Sequence, residues 1–106
     1  MKSGSLPVFA TPAMVALMEQ AACVCLADCF EDQGDNSVGT AINVEHIAAS
    51  PIGAAITASA TITAVFGRRI EFTVTANDGI GEIGKGKHTR VIVNGERFVM
   101  KASARK

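Results

Sequence analysis

The chain has no excess of charge of either sign. Its 106 residues include ten lysines and arginines and ten aspartates and glutamates, so the formal net charge at pH 7 is zero. Nucleic-acid binding depends largely on clustered cations that neutralise phosphates, and basic residues cluster here only over residues 85–90 and at the C-terminus. We therefore expect no nucleic acid among the partners of this protein.

Cysteine is scarce, and its spacing does not suit a metal. The three cysteines are Cys23, Cys25 and Cys29, an odd number without a Cys-x-x-Cys pair. This spacing predicts neither a disulfide framework nor a zinc site, so we expect no bound metal. We expect the thiols to pack as small buried hydrophobic groups. A nucleophilic role for Cys23, which requires an adjacent base, stays open from the sequence.

Leader, anchor and repeat signals are missing as well. Only a few apolar residues precede Thr11, which does not make the apolar region of a signal peptide. The apolar stretch that follows is interrupted by Glu19 and Gln20 and ends at Asp28, so we expect it to be too short and too polar to span a bilayer. We expect one cytoplasmic domain over residues 1–106, without a membrane partner.

The most informative feature that is present is a single carboxylate within an apolar stretch. Residues 13–27 are almost wholly apolar, and Glu19 lies near their middle. Its neighbours three and four positions away on a helix are all small or apolar: Val15, Ala16, Ala22 and Cys23. An unpaired buried charge costs several kcal/mol. The partner of Glu19 must therefore come from elsewhere in the chain or from another chain.

The apolar stretch predicts one long helix. Thr11 has the character of an N-cap, with Pro12 at the first helical position, and the apolar run continues to about Phe30. Because the run is apolar nearly all round, we expect the helix to be buried on most faces.

After Asn36 the apolar pattern has a period of two, which predicts five antiparallel strands. They cover Ser37–Ile47, Ile56–Phe66, Ile70–Ala76, Glu82–Val93 and Glu96–Ala104. Asn94-Gly95 is typical of a two-residue hairpin turn. One helix followed by such strands predicts an α+β fold in which a sheet wraps around the helix. The sheet has exposed edges, and we expect a homodimer or a dimer of dimers.

Strict alternation also assigns side chains to faces. In the first strand it places His46 at the end of a mostly apolar face and Gly39 on the opposite face. In the fourth strand His88 and Arg90 share a face with Gly84 and Gly86. The pattern leaves open whether that face contacts the helix or the solvent.

Several segments together resemble the fluoroacetyl-CoA thioesterase-like family, which has the hotdog fold. The segments are Val8–Val15, Leu17–Glu19, Ser37–Thr40, His46–Gly53, Gly67–Arg69 and Ile83–Arg90. The resemblance covers essentially the whole chain. It implies a curved antiparallel β-sheet wrapped around one long central helix, with the family's first strand missing or short in this chain.

The resemblance also implies a function and a site. The family's catalytic residues match Thr11, Glu19 and His46, a glycine at the reacting carbonyl matches Gly39, and a secondary site arginine matches Arg90. These matches imply an acyl-CoA thioesterase for a small acyl group. Coenzyme A enters as part of the substrate, and no cofactor is expected.

The residue types permit this chemistry in more than one way. Glu19 is suited to act as a general base toward water or as a nucleophile, and His46 to orient Glu19 or to protonate the leaving thiolate. A non-catalytic module that binds acyl-CoA is an alternative, as is a dehydratase or hydratase of the same fold. The basic residues Arg68, Arg69, Lys85 and Lys87 are candidates to meet the phosphates of coenzyme A, or are simply solvated.

Overall fold

One long helix lies across a four-stranded antiparallel sheet in the computed structural model, which describes residues 9–31 and 33–105. The elements are α1 (Thr11–Leu26), a 3₁₀ turn (Ala27–Cys29), β1 (Asp35–His46), β2 (Thr57–Phe66), β3 (Arg69–Asn77), β4 (Glu82–Asn94) and α2 (Gly95–Ser103). The strand order is β1-β4-β3-β2. The predicted α+β architecture is confirmed. The family's first strand would precede α1, in a part of the chain outside the described residues.

Helix α1 starts and stops differently from the sequence prediction. Its N-cap is Ala10, which offers no side-chain hydrogen bond, and Thr11 is the first helical residue. The predicted capping role of Thr11 is therefore wrong, because its hydroxyl is bonded to a strand residue instead. The α-helix ends at Leu26, and the 3₁₀ turn carries the chain on toward Phe30.

A stripe of α1 with four-residue spacing forms its contact with the sheet. The buried members are Met14, Met18, Ala22 and Leu26. They join the alternating core side chains of β3 and the start of β4, which are Ile70, Phe72, Val74, Ala76 and Ile83. Side chains four apart on a helix and two apart on a strand share a face, so the two patterns meet in one core layer. Truncating a core methionine such as Met18 to alanine costs about 2–5 kcal/mol in comparable cores.

The remaining faces of α1 are more open than the sequence suggested. Val24 is 69% exposed, and Cys23 and Cys29 are exposed free thiols. The expectations that α1 is buried on most faces and that all the cysteines are buried are wrong for the isolated chain. The sheet is on one side of the helix, so the described part of the chain buries one stripe of it.

The segment from α1 through the 3₁₀ turn is long and apolar enough to cross a bilayer. It has 19 residues, Thr11–Cys29, and a mean hydropathy of 1.3. The expectation that it is too short and too polar is therefore wrong on those two criteria. Here the segment lies along the sheet and buries the stripe formed by Met14, Met18, Ala22 and Leu26.

Two bulges interrupt the strict alternation of the edge strands β1 and β2. Opposite β4, the register of β1 shifts between Gly39 and Ala41, so Thr40 is an extra residue. In β2 the register shifts between Ile62 and Ala64. A bulge bends its strand and reverses which residues face the core beyond it. The sheet consequently curves around α1, and the faces assigned from simple alternation change partway along β1 and β2.

The bulge in β1 corrects the predicted faces. Gly39 pairs with Arg90 and Ile42 pairs with His88, and both of those partners are buried. Gly39 and Ile42 therefore lie on the same side, and so does His46, four residues beyond Ile42. The sequence placed Gly39 and His46 on opposite faces.

The predicted fifth strand is a helix. Asn94 has a φ of −78°, and its side chain accepts a hydrogen bond from the Arg97 backbone N–H, which makes it the N-cap of α2. A two-residue hairpin of type I′ or II′ at Asn94-Gly95 would need a positive φ at Asn94. Glu96 in the first turn and Lys101 in the last turn also favour the helix through its dipole.

A hydrogen-bonded turn fixes the approach to α1. The Phe9 backbone N–H donates to the Ser50 carbonyl (2.7 Å), and the buried Ser50 hydroxyl donates to Asp78 Oδ2 (2.8 Å). The other carboxylate oxygen of Asp78 accepts from the N–H groups of Ile80 and Gly81. These bonds, led by the one from Gly81 and followed by the Ser50 hydroxyl, lower the pKa of the Asp78 carboxyl.

Candidate active site

Glu19 finds its partner on β4. Its Oε2 atom lies 3.8 Å from Arg90 Nη1, and its side chain is 44% exposed. The ion pair answers the requirement that another part of the chain supply the counter-charge. The carboxylate is nonetheless open enough to receive water or a substrate.

Arg90 is buried and held on several of its nitrogens. Its Nε donates to Ser37 Oγ (2.9 Å), and Nη2 donates to the Ser37 carbonyl (3.0 Å). The third contact is Nη1 to His88 Nε2 at 3.3 Å. The planar guanidinium therefore has a fixed orientation, with Nη1 also directed at Glu19.

His88 contacts the guanidinium of Arg90 and is itself held in place by two other groups. The imidazole is 2% exposed, stacks on the Phe72 ring with centroids 6.1 Å apart, and places Nδ1 2.8 Å from the Ala41 carbonyl. A carbonyl only accepts hydrogen bonds and an arginine nitrogen only donates them. Nδ1 must therefore carry the ring hydrogen, and Nε2 must accept from Arg90.

Gly39 marks the point where these side chains converge. A Cβ added to Gly39 would lie 3.1 Å from His88 Cε1, 3.2 Å from Arg90 Nη1 and 3.3 Å from Glu19 Oε2. Three polar side chains from α1 and β4 thus surround one backbone position on β1. Glycine at this position leaves room for a small group to approach them.

Thr11 and His46 form a second, separate group. Thr11 Oγ1 and His46 Nδ1 are 2.9 Å apart, and the His46 ring meets the Phe9 ring edge-on at 6.3 Å. The Nε2 atom of His46 is buried and has no hydrogen-bond partner within residues 9–31 and 33–105. Buried polar atoms are rarely left unpaired, so this nitrogen is available to a substrate or another group.

The two groups lie at different positions along α1. Eight residues separate Thr11 from Glu19, which corresponds to about 12 Å of helix. Along β4 the partners of His46 and Gly39, which are Gly84 and Arg90, are six residues apart, or about 20 Å. The predicted site residues therefore assemble as a Glu19 group and a His46 group, and not as one triad within a single chain.

The sequence prediction missed two supporting residues. The alternation pattern leaves open whether His88 faces solvent or the helix, and no sequence pattern singles out Ser37. Both residues follow from the burial of Arg90. A buried guanidinium needs hydrogen-bond acceptors, and Ser37 and His88, at neighbouring positions of the sheet, supply them. That arrangement appears only when the register of β1 and β4 is known.

The arrangement suits polar chemistry on a small electrophile. The Glu19 group offers a carboxylate oriented by a cation, and the His46 group offers an imidazole oriented by a hydroxyl. Among the described residues, no cluster of three histidine, cysteine, aspartate or glutamate side chains could hold a metal ion.

Comparison with known proteins identifies the family. Residues 1–96 match the model of the fluoroacetyl-CoA-specific thioesterase family, FlK. A fluoroacetyl-CoA thioesterase of Streptantibioticus cattleyicolor is 46% identical over 91 residues, which cover 86% of this chain. The match spans 65% of that relative's length.

Solved structures agree with this comparison. A structure of the fluoroacetyl-CoA thioesterase FlK is 42% identical and superimposes with a TM-score of 0.87, covering 93% of this chain and 73% of that one. A hot-dog-like protein from Thermanaerovibrio acidaminovorans is 26% identical, with a TM-score of 0.86 over 93% of this chain and 73% of that one. The chain therefore has the hotdog fold and belongs to the fluoroacetyl-CoA-specific thioesterase family.

Proposed function

We propose that this protein hydrolyses thioesters of small acyl groups with coenzyme A. Glu19, His46 and Thr11 are the catalytic residues of this proposal, and Gly39 and Arg90 bind the substrate. The convergence of Glu19, Arg90 and His88 on Gly39 carries the proposal, because it presents an oriented carboxylate at a position that only a small group can approach. Solved relatives in complex with acetyl-CoA, or with fluoroacetate and CoA, support the choice of substrate class.

Hydrolysis assigns a distinct task to each group. Water adds its oxygen to the thioester carbonyl carbon while Glu19 takes a proton from it, and the carbon–sulfur bond of the tetrahedral intermediate then breaks. Direct attack by Glu19 through a mixed anhydride gives the same products after water cleaves the anhydride. Arg90 keeps the carboxylate directed at Gly39 in either route. The reaction requires no cofactor, and the cytoplasm is the expected compartment.

The leaving thiolate needs a proton, and His46 is placed to supply one. Its Nδ1 is engaged by Thr11, so only Nε2 is available for this role. Thr11 fixes the orientation of the ring, and the helix N-terminus beside it favours an anion. Among the described residues Nε2 has no hydrogen-bond partner, which is consistent with a partner that arrives with the substrate.

We infer that a second copy of the chain completes the site. In one chain the Glu19 group and the His46 group are about 12 Å apart along the helix, so neither has the other within reach. Strand β1 lies at one edge of the four-stranded sheet and carries both Gly39 and His46. A second copy that pairs along this edge would bring the Glu19 of one copy to the His46 of the other.

Release of free thiol from a panel of short, branched and aromatic acyl-CoAs tests the function. We expect wild-type turnover of at least one short acyl-CoA, and a fall in kcat of at least ~10²-fold in Glu19→Gln and in His46→Ala. Glu82→Gln removes an exposed carboxylate from the start of β4 and serves as the matched control with normal turnover. Unchanged turnover in Glu19→Gln would show that Glu19 is not a catalytic residue.

The same panel separates the alternatives. A protein that binds coenzyme A tightly but releases no thiol from any substrate would be a binding module instead of an enzyme. Hydration of an enoyl-CoA without thiol release would identify a hydratase.

A further inference from the structure

A groove beside α2 collects positive charge at one end of the sheet. Arg68 from the β2–β3 turn and Arg97 and Lys101 from α2 line it, above the apolar side chains of Ile92 and Phe98. Its volume is about 270 Å³. The chain as a whole has no net charge, so three cations around one groove are a local concentration.

The cations of the groove are only partly neutralised by the protein. Arg68 Nη1 lies 3.7 Å from Asp35 and donates to the Ile92 carbonyl at 3.2 Å, which holds this side chain at the rim. Within residues 9–31 and 33–105, neither Arg97 nor Lys101 makes an ion pair. The groove therefore retains positive charge for an anionic ligand.

The other basic residues considered from the sequence do not share this position. Arg69 lies 3.8 Å from Glu71 and 4.9 Å from the centre of the Phe66 ring. Lys85 and Lys87 alternate with residues that face the helix, so they project from the outer face of the sheet, where Glu45 is the register partner of Lys85. Arg68 is the one of these four that reaches the groove.

The groove is in line with the candidate active site. Arg90 and Ile92 lie on the same face of β4, and β4 continues from Arg90 to Asn94, where α2 begins. The four-residue step corresponds to about 13 Å of strand. A ligand whose reactive group lies at Gly39 and whose charged end is separated from it by an extended arm would place that end beside α2.

We propose that this groove binds the phosphorylated adenosine end of coenzyme A; this rests on the proposed function, which supplies the thioester at the other end. Arginine and lysine bind phosphate oxygens through charge-assisted hydrogen bonds. The half-exposed Phe98 ring offers a stacking surface for a purine base. Arg97, Phe98 and Lys101 lie beyond residue 96, where the match to the family model ends.

The test compares two double variants with equal charge loss. Arg97→Gln/Lys101→Gln removes two cations from the groove, and Lys85→Gln/Lys87→Gln removes two from the outer face of the sheet. We expect the first to weaken coenzyme A binding about tenfold by calorimetry and to raise KM for acyl-CoA by a similar factor without changing kcat. The second should bind and turn over as wild type does.

Truncated probes locate the effect on the ligand. Adenosine 3′,5′-bisphosphate should compete with coenzyme A in the wild type and compete less well in Arg97→Gln/Lys101→Gln. Turnover of N-acetylcysteamine thioesters, which lack the nucleotide, should be the same in both proteins. All four side chains are solvent-facing, and matching thermal unfolding temperatures would verify that both variants fold.

The outcomes separate this proposal from the proposed function. Normal coenzyme A binding in Arg97→Gln/Lys101→Gln would contradict binding in the groove, and so would an equal loss of affinity in Lys85→Gln/Lys87→Gln. Neither result would contradict the proposed thioesterase activity. Absence of thiol release by the wild type, together with weakened binding in the groove variant alone, would overturn the thioesterase and leave the groove.

Discussion

Arg90 stands between Glu19 and His88 and contacts both through the same nitrogen. Nη1 lies 3.8 Å from Glu19 Oε2 and 3.3 Å from His88 Nε2. A cation held in this way fixes the carboxylate near Gly39 without covering it. The position of Glu19 therefore depends on a residue, His88, that does not reach the carboxylate itself.

In the proposed reaction we expect His88 to act as a positioning residue for Arg90. His88→Phe keeps the stacking on Phe72 but leaves the Ala41 carbonyl without its donor and Arg90 Nη1 with Glu19 as its remaining contact, which costs about 1–3 kcal/mol of stability. We expect kcat to fall about tenfold with KM nearly unchanged, since a misplaced Glu19 weakens the transition state more than substrate binding.

A conservative variant distinguishes positioning from general stability. His88→Gln retains a donor and an acceptor, and we expect it to recover part of kcat. Equal kcat losses in His88→Gln and His88→Phe, in proportion to their unfolding temperatures, would show that His88 is merely structural.

Gly39 is expected to tolerate no side chain without loss of activity. The Cβ of Gly39→Ala would lie 3.1–3.3 Å from atoms of His88, Arg90 and Glu19, so these buried or ion-paired groups would have to shift by a few tenths of an ångström. We expect kcat/KM for acyl-CoA to fall at least ~10-fold, because small displacements at a reacting centre have large effects on rate. Gly81→Ala, whose Cβ would have no neighbour within 4 Å, is the matched control. A fully active Gly39→Ala enzyme would show that the substrate carbonyl lies elsewhere.

The elements that bury apolar side chains were predictable from the sequence. In β3 the core residues Ile70, Phe72, Val74 and Ala76 alternate as the pattern required, because burial on one face of a strand selects apolar residues at every second position. The bulge at Thr40 was not predictable, because an extra residue leaves no mark in a composition of small and polar side chains. This bulge places Gly39 and His46 on the same face of the sheet, where strict alternation places them on opposite faces.

The need for a partner to Glu19 was predictable, but the arrangement around it was not. A lone carboxylate in an apolar stretch implies a counter-charge, and Arg90 supplies one. The contacts of Arg90 with Ser37 and His88 depend on strand register, which a single sequence does not contain. The prediction of a hairpin turn at Asn94 was wrong for a related reason. Asparagine is favoured both in a tight turn and at a helix N-cap, where Asn94 lies.

Asp78 should make stability sensitive to acid. Hydrogen bonds from Gly81, Ser50 and Ile80 lower the pKa of its carboxyl in the folded state below its ordinary value, which it keeps in the unfolded state. The folded state thus holds its proton less tightly than the unfolded state, so the stabilisation is complete above the unfolded pKa and is lost as pH falls through the folded pKa.

Denaturant unfolding of wild type and Asp78→Asn between pH 7 and pH 2.5 measures this contribution. The wild type should be the more stable protein at pH 7, and the difference should shrink below about pH 4. A difference that is independent of pH would exclude ionisation of Asp78 as its source.

A site shared between two copies makes a prediction that a site within one chain does not. Thr11 and His46 are bonded within one chain, so the proposal takes this pair from one copy and Glu19 from the other. Glu19→Gln and His46→Ala homodimers should each be nearly inactive. Mixed and allowed to exchange subunits, they form heterodimers in which one site carries both substitutions and the other carries neither. About a quarter of wild-type activity should therefore return after full exchange.

Thiol release measured over the course of mixing, with light scattering to establish the dimer, checks this. A mixture that exchanges subunits but stays inactive would mean that each chain carries its own complete site, and an ~11 kDa species alone at micromolar protein would exclude the dimer.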